Sequence, residues 1–334
     1  MLVPRVVTDH RLVPSPREFV TGRNPGIEKS GRGDKRRVRS DRRYGRGPVE
    51  LIVVAAIVGF ALMIVLISLP KGRELARMAK CQQNLMQIGV GLQMYHQAQS
   101  HYPTVPKLDG SLGNAPIQAL FETFVVPDLL QMQDPSKPPK PSQPPARGVR
   151  VPGLTCPSDS NAVGGVSSPF INYRANTGSS ADGSGGPFAP GRTTTSTSIE
   201  QADGLSYTAA FAERVVGDGK SGEPARCNYA TIPGPITGST APPGLEEQWR
   251  GDAGSDWAEA TWRSTLYTHA LSPNAAQSWI SNDGRSALMG ASSSHVGRIN
   301  VLMMDGSVKG VTPTIDAKVW DELGTIGAPR SIKE

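Results

Sequence analysis

The hydrophobic pattern of the chain is dominated by one uninterrupted apolar run, Leu51–Leu69. The run holds 19 residues without a charge. As an α-helix at about 1.5 Å per residue it would span about 28 Å, close to the hydrocarbon thickness of a bilayer. A buried core helix is the alternative interpretation, but a core helix normally keeps a polar face, and Ser68 is the only polar side chain in this run. The pattern therefore predicts a transmembrane anchor.

The pattern becomes amphipathic beyond the anchor. Apolar side chains then recur at steps of three, four and seven residues, which places them on one helical face: Leu75, Met78, Leu85, Ile88, Leu92 and Tyr95. Polar side chains lie mainly on the rest of the helix: Gln82, Gln83, Asn84, Gln87 and Gln93. Pro103 and Pro106 end the pattern. It predicts one helix over residues 46–100, whose second half packs on a globular domain.

A cleaved secretory signal peptide is the other use of an N-terminal apolar run. Such a peptide has a shorter apolar core and a small-residue cleavage site directly after it. Here the run is longer, and four basic residues follow it without such a site: Lys71, Arg73, Arg77 and Lys80. We therefore expect the segment to be retained.

Charge is distributed very unevenly along the chain. Residues 1–46 hold 13 Lys and Arg against 5 Asp and Glu, a balance of +8, which leaves −2 for the remainder of the +6 total. A basic tail beside an apolar span predicts a single-pass inner-membrane protein with a cytoplasmic N-terminus and a periplasmic or extracellular body. Nucleic-acid binding is not expected, because it would need the basic residues on folded structure. Residues 1–45 lack periodicity and indicate a disordered leader, with an upstream start-site artefact as the alternative.

The remaining residues, 101–334, are numerous enough to form a substantial core. Gly (37) and Pro (29) make up about a fifth of the chain, well above the usual share, which favours a loop-rich, sheet-containing domain over a helical bundle. Residues 109–133 suggest a short helix and a strand that pack on the long helix. The proline-rich stretch 135–152 predicts an extended loop. The expected fold is α+β, with the long helix packed on an antiparallel, loop-rich β-sheet domain.

The residues before the anchor resemble a type IV prepilin processing site. Gly45 takes the place of the glycine before the cut, and Glu50 that of the glutamate five residues after it. Arg46 and Gly47–Pro48 stand where that pattern has Phe and Thr-Leu. The resemblance implies a prepilin peptidase and other pseudopilin-like subunits as partners, in a type IV pilus or type II secretion context.

Motifs further along resemble one group of large pseudopilin-like bacterial proteins, which join a prepilin-type N-terminus to a domain of unknown function. The matching elements are C-x-x-N-L-x-Q-I-G from Cys81, LTCPSDS (154–160), INYRANTG (171–178), DGLSYTAAFAE from Asp203–Gly204, H-x9-D-G from His295 to Asp305–Gly306, and VWDELGT (319–325). Their order covers most of the chain from Gly45 to Thr325. Tyr207 replaces the asparagine usual in the DGLSYTAAFAE element.

Two structural expectations concern the end and the cysteines of this region. Ile299–Met304 is apolar, Asp305–Gly306 is a typical tight turn and Val308–Val311 can return as a strand, so a β-hairpin is predicted. Cys81 and Cys156 both lie in family-like motifs whereas Cys227 does not. The resemblance therefore implies a disulfide between the first two in an exported body.

Catalytic chemistry is not indicated by any motif. His295 and Asp305 have no accompanying nucleophile elbow, H-E-x-x-H sequence, paired C-x-x-C or phosphate loop, and each is explained by a structural role. We therefore expect no enzyme, no cofactor and no metal. Calcium is the one ion that related pseudopilins suggest, although no D-x-D-x-D-G ligand series is present.

Two functional classes remain. The first is a structural pseudopilin-like subunit that inserts in the inner membrane and packs into a filament. The second is a membrane-tethered module that binds solutes or glycans outside the cytoplasm, for which the tryptophan-bearing segment 249–279, with Trp249, Trp257 and Trp262, is suited. Glu50 favours the first, because a carboxylate at the membrane edge serves no purpose in a simple tether.

Overall fold

The computed structural model describes residues 47–108, 115–120, 150–164, 169–239 and 247–327. The chain divides into two compact units, Met1–Gly59 and Phe60–Glu334. Helix α1, Pro48–Gln99, contributes residues to both, and Pro70 lies inside it. Across these described ranges, no helix combines the length and the apolar content needed to cross a membrane.

Some of the predicted segments lie outside the described residues. They include the leader 1–45, Arg46 and most of the proline-rich stretch. Within 109–133, the described part is the short helix α2, Pro116–Leu120. Only residues 150–152 of the proline-rich stretch are described: Val151 is extended, and Pro152 begins a 3₁₀ turn, Pro152–Leu154.

The second unit contains short helices and nine described strands. The helices are α3 (Ser160–Gly164), α4 (Ser196–Glu200) and α5 (Ala317–Gly324), with a further 3₁₀ turn at Leu205–Tyr207. The strands are β1 (Tyr173–Asn176), β2 (Ala209–Glu213), β3 (Tyr229–Ile232), β4 (Gln248–Arg250), β5 (Leu266–Tyr267), β6 (Trp279–Ser281), β7 (Ala287–Leu288), β8 (Ile299–Met303) and β9 (Val308–Val311).

The strands form two mixed sheets, so the α+β class is confirmed but the purely antiparallel prediction is wrong. One sheet has the order β5-β1-β2-β8-β9 and the other β4-β3-β6-β7. The pairs β1–β5 and β3–β6 are parallel, and all other pairs are antiparallel. Parallel neighbours need a long crossover, and here dozens of residues separate the paired strands in the sequence. Local turn signals cannot reveal such pairs.

The predicted C-terminal hairpin is present. β8 and β9 pair antiparallel from Ile299 opposite Val311 to Leu302 opposite Val308. Gly306 in the turn has φ of +86°, a conformation that glycine adopts without steric cost. Every residue of β8 is buried, since hydrophobic clusters cover both faces of this strand: Leu302 belongs to the main cluster, and Ile299, Val301 and Met303 belong to a second one.

The second half of α1 packs into the core of the domain. Leu85, Ile88 and Leu92 are buried in the main hydrophobic cluster, as the periodicity predicted. Leu75 is exposed, because the buried part of the helix begins only near Cys81. Asn84, placed by sequence on the polar side, is buried instead, where its amide donates hydrogen bonds to the carbonyl of Thr155 and the hydroxyl of Tyr173.

Gly89 allows the hairpin to approach this helix closely. A Cβ at this position would lie 3.0 Å from Cδ1 of Leu302 and 3.3 Å from Cα of Gly306. One helical turn further on, the Gln93 side-chain amide donates a 2.7 Å hydrogen bond to the carbonyl of Met304. Gly89, from the motif that begins at Cys81, thus packs directly against the turn of the H-x9-D-G motif.

Candidate functional site

Four reactive side chains from distant parts of the sequence meet in the interior of the domain. We call them the cysteine–histidine cluster: Cys81, Cys156, Glu213 and His295. One sulfur, nitrogen or oxygen atom from each lies within 4.8 Å of the others, and all four residues are buried. Cys81 lies on α1, Cys156 follows the first 3₁₀ turn, Glu213 ends β2 and His295 precedes β8.

A disulfide joins Cys81 to Cys156, the pairing that the family resemblance implied. The two Cα atoms are 5.4 Å apart, within the normal range for a disulfide. The bond links α1 to the loop that carries the LTCPSDS motif. Cys227, which was not expected to pair, is a free, half-buried thiol.

The imidazole of His295 is held between two carboxylates. Its Nδ1 lies 2.7 Å from Oε1 of Glu74, a residue two helical turns before Cys81 on α1. Its Nε2 lies 3.7 Å from Oε1 of Glu213 and 3.5 Å from Sγ of Cys156. An Nδ1–H donated to Glu74 leaves the Nε2 lone pair directed into the cluster.

Glu213 is a deeply buried carboxylate with dedicated hydrogen-bond donors. Burial raises the pKa of Glu213 above its ordinary value, although hydrogen bonds from Asn300 and the nearby His295 oppose this effect. The backbone N–H of Asn300 donates to Oε2 and its side-chain amide to Oε1, each at 2.9 Å. Gln82 on α1 donates in turn to Oδ1 of Asn300. The carboxylate is therefore fixed in position.

Glu74 lies at the more accessible edge of the cluster. Partial burial raises the pKa of Glu74, but hydrogen bonds from His295, Arg77 and Ser158 outweigh burial and bring the pKa below its ordinary value. The hydroxyl of Ser158 donates to both carboxylate oxygens, at 3.0 and 3.1 Å. Glu74 is consequently held as an anion beside the imidazole.

The motif around Cys156 is fixed by a second buried carboxylate. Oδ2 of Asp159 accepts hydrogen bonds from the Asn172 amide at 2.6 Å and from the backbone N–H of Val216 at 2.8 Å. Oδ1 of Asn172 accepts from the backbone N–H of Cys156 at 2.8 Å. Burial raises the pKa of Asp159, and these hydrogen bonds counteract it. The LTCPSDS and INYRANTG motifs therefore support each other and position Cys156.

The remaining motif residues occupy turns rather than the cluster. Asp305 is exposed in the hairpin turn, where it accepts hydrogen bonds from the backbone and hydroxyl of Ser307 at 2.8 and 2.6 Å. Asp203 accepts from the backbone N–H of Gly327, and Gly204 has φ of +86°. His295 and Asp305, although they belong to one motif, thus have separate structural settings.

The predicted assembly residues are only partly described. Gly45 and Arg46 lie outside the described residues. Glu50 is exposed in the first turn of α1. A carboxylate at this position also interacts favourably with the N-terminal end of the helix dipole.

Three of the tryptophans in the segment 249–279 lie in the interior of the domain. Trp257 and Trp262 are fully buried and belong to the main core, and Trp249 is buried as well. The indole N–H groups of Trp249 and Trp279 both donate to the carboxylate of Glu247. The three tryptophans named from sequence therefore contribute to the interior of the domain and not to an exposed aromatic surface.

A second feature is an open cleft of about 380 Å³ beside the four-stranded sheet. Its lining includes Tyr229, Arg250, Glu259, Arg263 and Ile280. Most of its charged groups are linked: Arg263 contacts Glu259 at 2.5 Å and Asp252 at 3.5 Å, and Arg250 contacts Asp252 at 3.2 Å. The cleft thus combines a polar wall with apolar side chains, and its volume lies in the range of small-molecule sites.

The architecture and the site define a disulfide-linked α+β domain built on a long helix, with mixed sheets and a buried carboxylate–histidine pair. Residues 70–318, about three quarters of the chain, match the family described as "Protein of unknown function (DUF1559)", and the chain belongs to that family. No curated protein and no solved structure gives a significant match.

Sequence reasoning identified three members of the cluster but not their association. Cys81, Cys156 and His295 were singled out for separate reasons. Glu213 is the matching glutamate that ends the DGLSYTAAFAE element, but the motif gave it no role. Glu74 carries a weaker signal, a spacing of seven residues before Cys81, which places both on one helical face.

Proposed function

We propose that this protein is a non-catalytic, pseudopilin-like structural subunit, anchored in the inner membrane with its body outside the cytoplasm. The observation that carries the proposal is the division of α1 into two parts. Its first part exposes apolar side chains in succession: Val49, Leu51, Ile52, Val53, Val54, Ile57, Val58, Phe60, Leu62, Met63 and Ile64. Its second part is built into the core of the folded domain.

An exposed helix that is apolar on all sides requires an apolar environment. In water, such a surface favours association with lipid or with other apolar helices. A type IV pilin-like subunit uses both environments, first the bilayer and then the helices of its neighbours. The family resemblance of the Gly45–Glu50 region supports the same interpretation.

The proposed assembly depends on a new amino terminus. Cleavage between Gly45 and Arg46 by a prepilin peptidase would create an α-ammonium on Arg46, with Glu50 as the fifth residue of the new chain. Packed beside the apolar helix of a neighbouring subunit, that ammonium can neutralise the neighbour's Glu50. An unpaired carboxylate in hydrocarbon costs several kcal/mol, so the pairing would fix the register between subunits.

Substitution of Glu50 tests this proposal. Glu50→Ala makes the segment more apolar, so membrane insertion should be retained while crosslinking between neighbouring subunits is lost. Gly45→Ala should block processing and leave the full-length chain. Glu200→Ala, which removes an exposed carboxylate from the body, is the matched control and should crosslink like wild type. Equal crosslinking of wild type and Glu50→Ala would rule out the filament role.

The second candidate function is a tethered solute-binding module, and the cleft is the observation that favours it. Two arginines and a glutamate line an opening of about 380 Å³ that also has apolar walls. This composition suits a small polar solute better than a long glycan, since the nearby tryptophans are buried.

A ligand screen separates the two candidates. Thermal unfolding would be followed with individual sugars, amino acids and small carboxylates, in wild type and in Arg263→Met. Two results together would favour the binding module. The first is a compound that stabilises wild type but not Arg263→Met, and the second is crosslinking that does not depend on Glu50. Arg285→Met, outside the cleft lining, serves as the charge-matched control.

A further inference from the structure

We propose that the cysteine–histidine cluster is a binding site for one zinc-type divalent cation when its disulfide is reduced. The ligands would be the thiolates of Cys81 and Cys156, Nε2 of His295 and a carboxylate oxygen of Glu213. This inference is independent of the proposed filament role, since it concerns only the interior of the folded domain.

Two distances between the ligand atoms already match a tetrahedral site. Zinc bonds of about 2.3 Å to sulfur and about 2.0–2.2 Å to nitrogen and oxygen place neighbouring ligand atoms about 3.4–3.8 Å apart. Nε2 of His295 lies 3.5 Å from Sγ of Cys156 and 3.7 Å from Oε1 of Glu213. The two sulfurs, which are bonded in the structure, would have to separate, and all four ligand atoms lie within 4.8 Å of one another.

The surroundings of the cluster have the form expected around a metal. A histidine ligand usually donates its other ring N–H to a carboxylate, and Nδ1 of His295 lies 2.7 Å from Glu74. A ligating carboxylate is usually hydrogen-bonded too, and Asn300 donates twice to Glu213. A disulfide alone requires neither arrangement.

A dication would also compensate the buried negative charge of the reduced cluster. Glu213 is 2% exposed, and a buried carboxylate is unfavourable unless it is paired. Two thiolates and this carboxylate around a dication leave a net charge of −1, with neutral His295 contributing no charge. Two thiolates and an imidazole are the ligand types that select zinc over calcium or magnesium.

The conversion between the two forms is a two-electron reduction. A phosphine breaks the sulfur–sulfur bond, gives two thiols and becomes a phosphine oxide, with its oxygen and the two thiol protons supplied by water. Binding of the cation then displaces both thiol protons. The disulfide and the metal complex are thus alternative states of the same two cysteines.

Cobalt provides a direct test because its spectrum reports the ligands. The intact protein would be reduced with a phosphine without oxygen, freed of excess reagent and titrated with Co²⁺. We expect one ion per chain, tetrahedral visible bands and a thiolate-to-cobalt charge-transfer band, all displaced by Zn²⁺. The unreduced protein should show no charge-transfer band.

Variants assign the ligands. Cys81→Ser with Cys156→Ser should abolish the charge-transfer band, and His295→Gln should weaken binding. Glu74→Ala, which acts through His295, should reduce the affinity by about 10–100-fold while leaving the band in place. Cys227→Ser is the matched control and should bind like wild type.

A thiol-protection measurement on the wild type covers the case in which variants fail to fold. Zn²⁺ should slow alkylation of Cys81 and Cys156 in the reduced protein, as read by mass spectrometry, and leave Cys227 unchanged. If the reduced chain unfolds, adding Zn²⁺ should restore its circular dichroism. Equal alkylation with and without Zn²⁺, or cobalt binding that persists in the double cysteine variant, would overturn the proposal.

Discussion

At the scale of single residues, buried polar side chains help to select one packing arrangement of the domain, because each of them needs a hydrogen-bond partner. His269 is an example that no sequence signal distinguished. Its ring stacks on Trp320 with centroids 3.8 Å apart, and Nδ1 lies 2.7 Å from the Trp320 carbonyl. Since that carbonyl can only accept, Nδ1 carries the proton and Nε2 accepts from the hydroxyl of Tyr267 at 2.9 Å. A neutral imidazole satisfies both contacts.

This environment predicts a pH dependence of stability. Burial lowers the pKa of His269 to about 3, whereas an exposed histidine titrates near 6.5. Between these values the unfolded chain binds one more proton at this residue. The free energy of unfolding should therefore fall as the pH drops below 6.5, by about 1.4 kcal/mol per pH unit from this group.

His269→Gln isolates that contribution because it cannot titrate. Urea unfolding would give the free energy of unfolding of wild type and variant from pH 7 to pH 5. The difference between these two free energies should narrow as the pH falls. Carboxylates affect both proteins alike, so they cancel in the difference. A constant difference over this range would show that His269 is not held neutral.

At the scale of elements, the contact between α1 and the C-terminal hairpin predicts opposite effects for two glycines of one helix. Alanine is a better helix former than glycine by about 1 kcal/mol. Gly72→Ala should increase the stability of the protein by up to that amount, since no atom lies within 4 Å of the added Cβ. Gly89→Ala should instead destabilise by about 1–2 kcal/mol, because its Cβ would crowd Leu302 and the backbone of Gly306. Chemical denaturation of both variants measures the two changes in the free energy of unfolding. An increase in stability of Gly89→Ala would contradict the close approach of the hairpin to the helix.

The disulfide is the second link between α1 and the rest of the domain. It closes a loop of 75 residues, for which the chain-entropy argument gives up to about 4 kcal/mol. Reduction in the presence of a chelator should lower the urea midpoint accordingly, without a metal to compensate. Cys227→Ser under oxidising conditions should leave the midpoint nearly unchanged. An unchanged urea midpoint after reduction would show that packing alone holds the helix in place.

Local elements were predictable because their signals are local. The helix follows from apolar spacing and the hairpin from an Asp-Gly turn between apolar segments. The parallel pairs β1–β5 and β3–β6 were not predictable, since their partners lie far apart in the sequence and no turn marks them. The exposure of Leu75 was missed because periodicity gives the direction of a face but not the point at which the domain begins to cover it.

At the scale of the whole molecule, the candidate site was beyond sequence reasoning for the same reason. Cys81, Cys156, Glu213 and His295 come from a helix, a loop, a strand end and another loop. Each has a local explanation, and only the fold shows that they share one buried volume. The short family-like motifs supply the residues that surround the cluster. Asn84, Asp159 and Asn172 fix the neighbouring backbone and side chains through buried hydrogen bonds.

We propose that the apolar part of α1 becomes the mature N-terminal segment of a membrane-inserted, assembling subunit. The most direct test is the N-terminal residue of the mature protein recovered from membranes, determined by mass spectrometry. We expect a chain that begins at Arg46, with Glu50 as its fifth residue. A chain that retains residues before Gly45, or one that has lost the apolar run Leu51–Leu69, would contradict it.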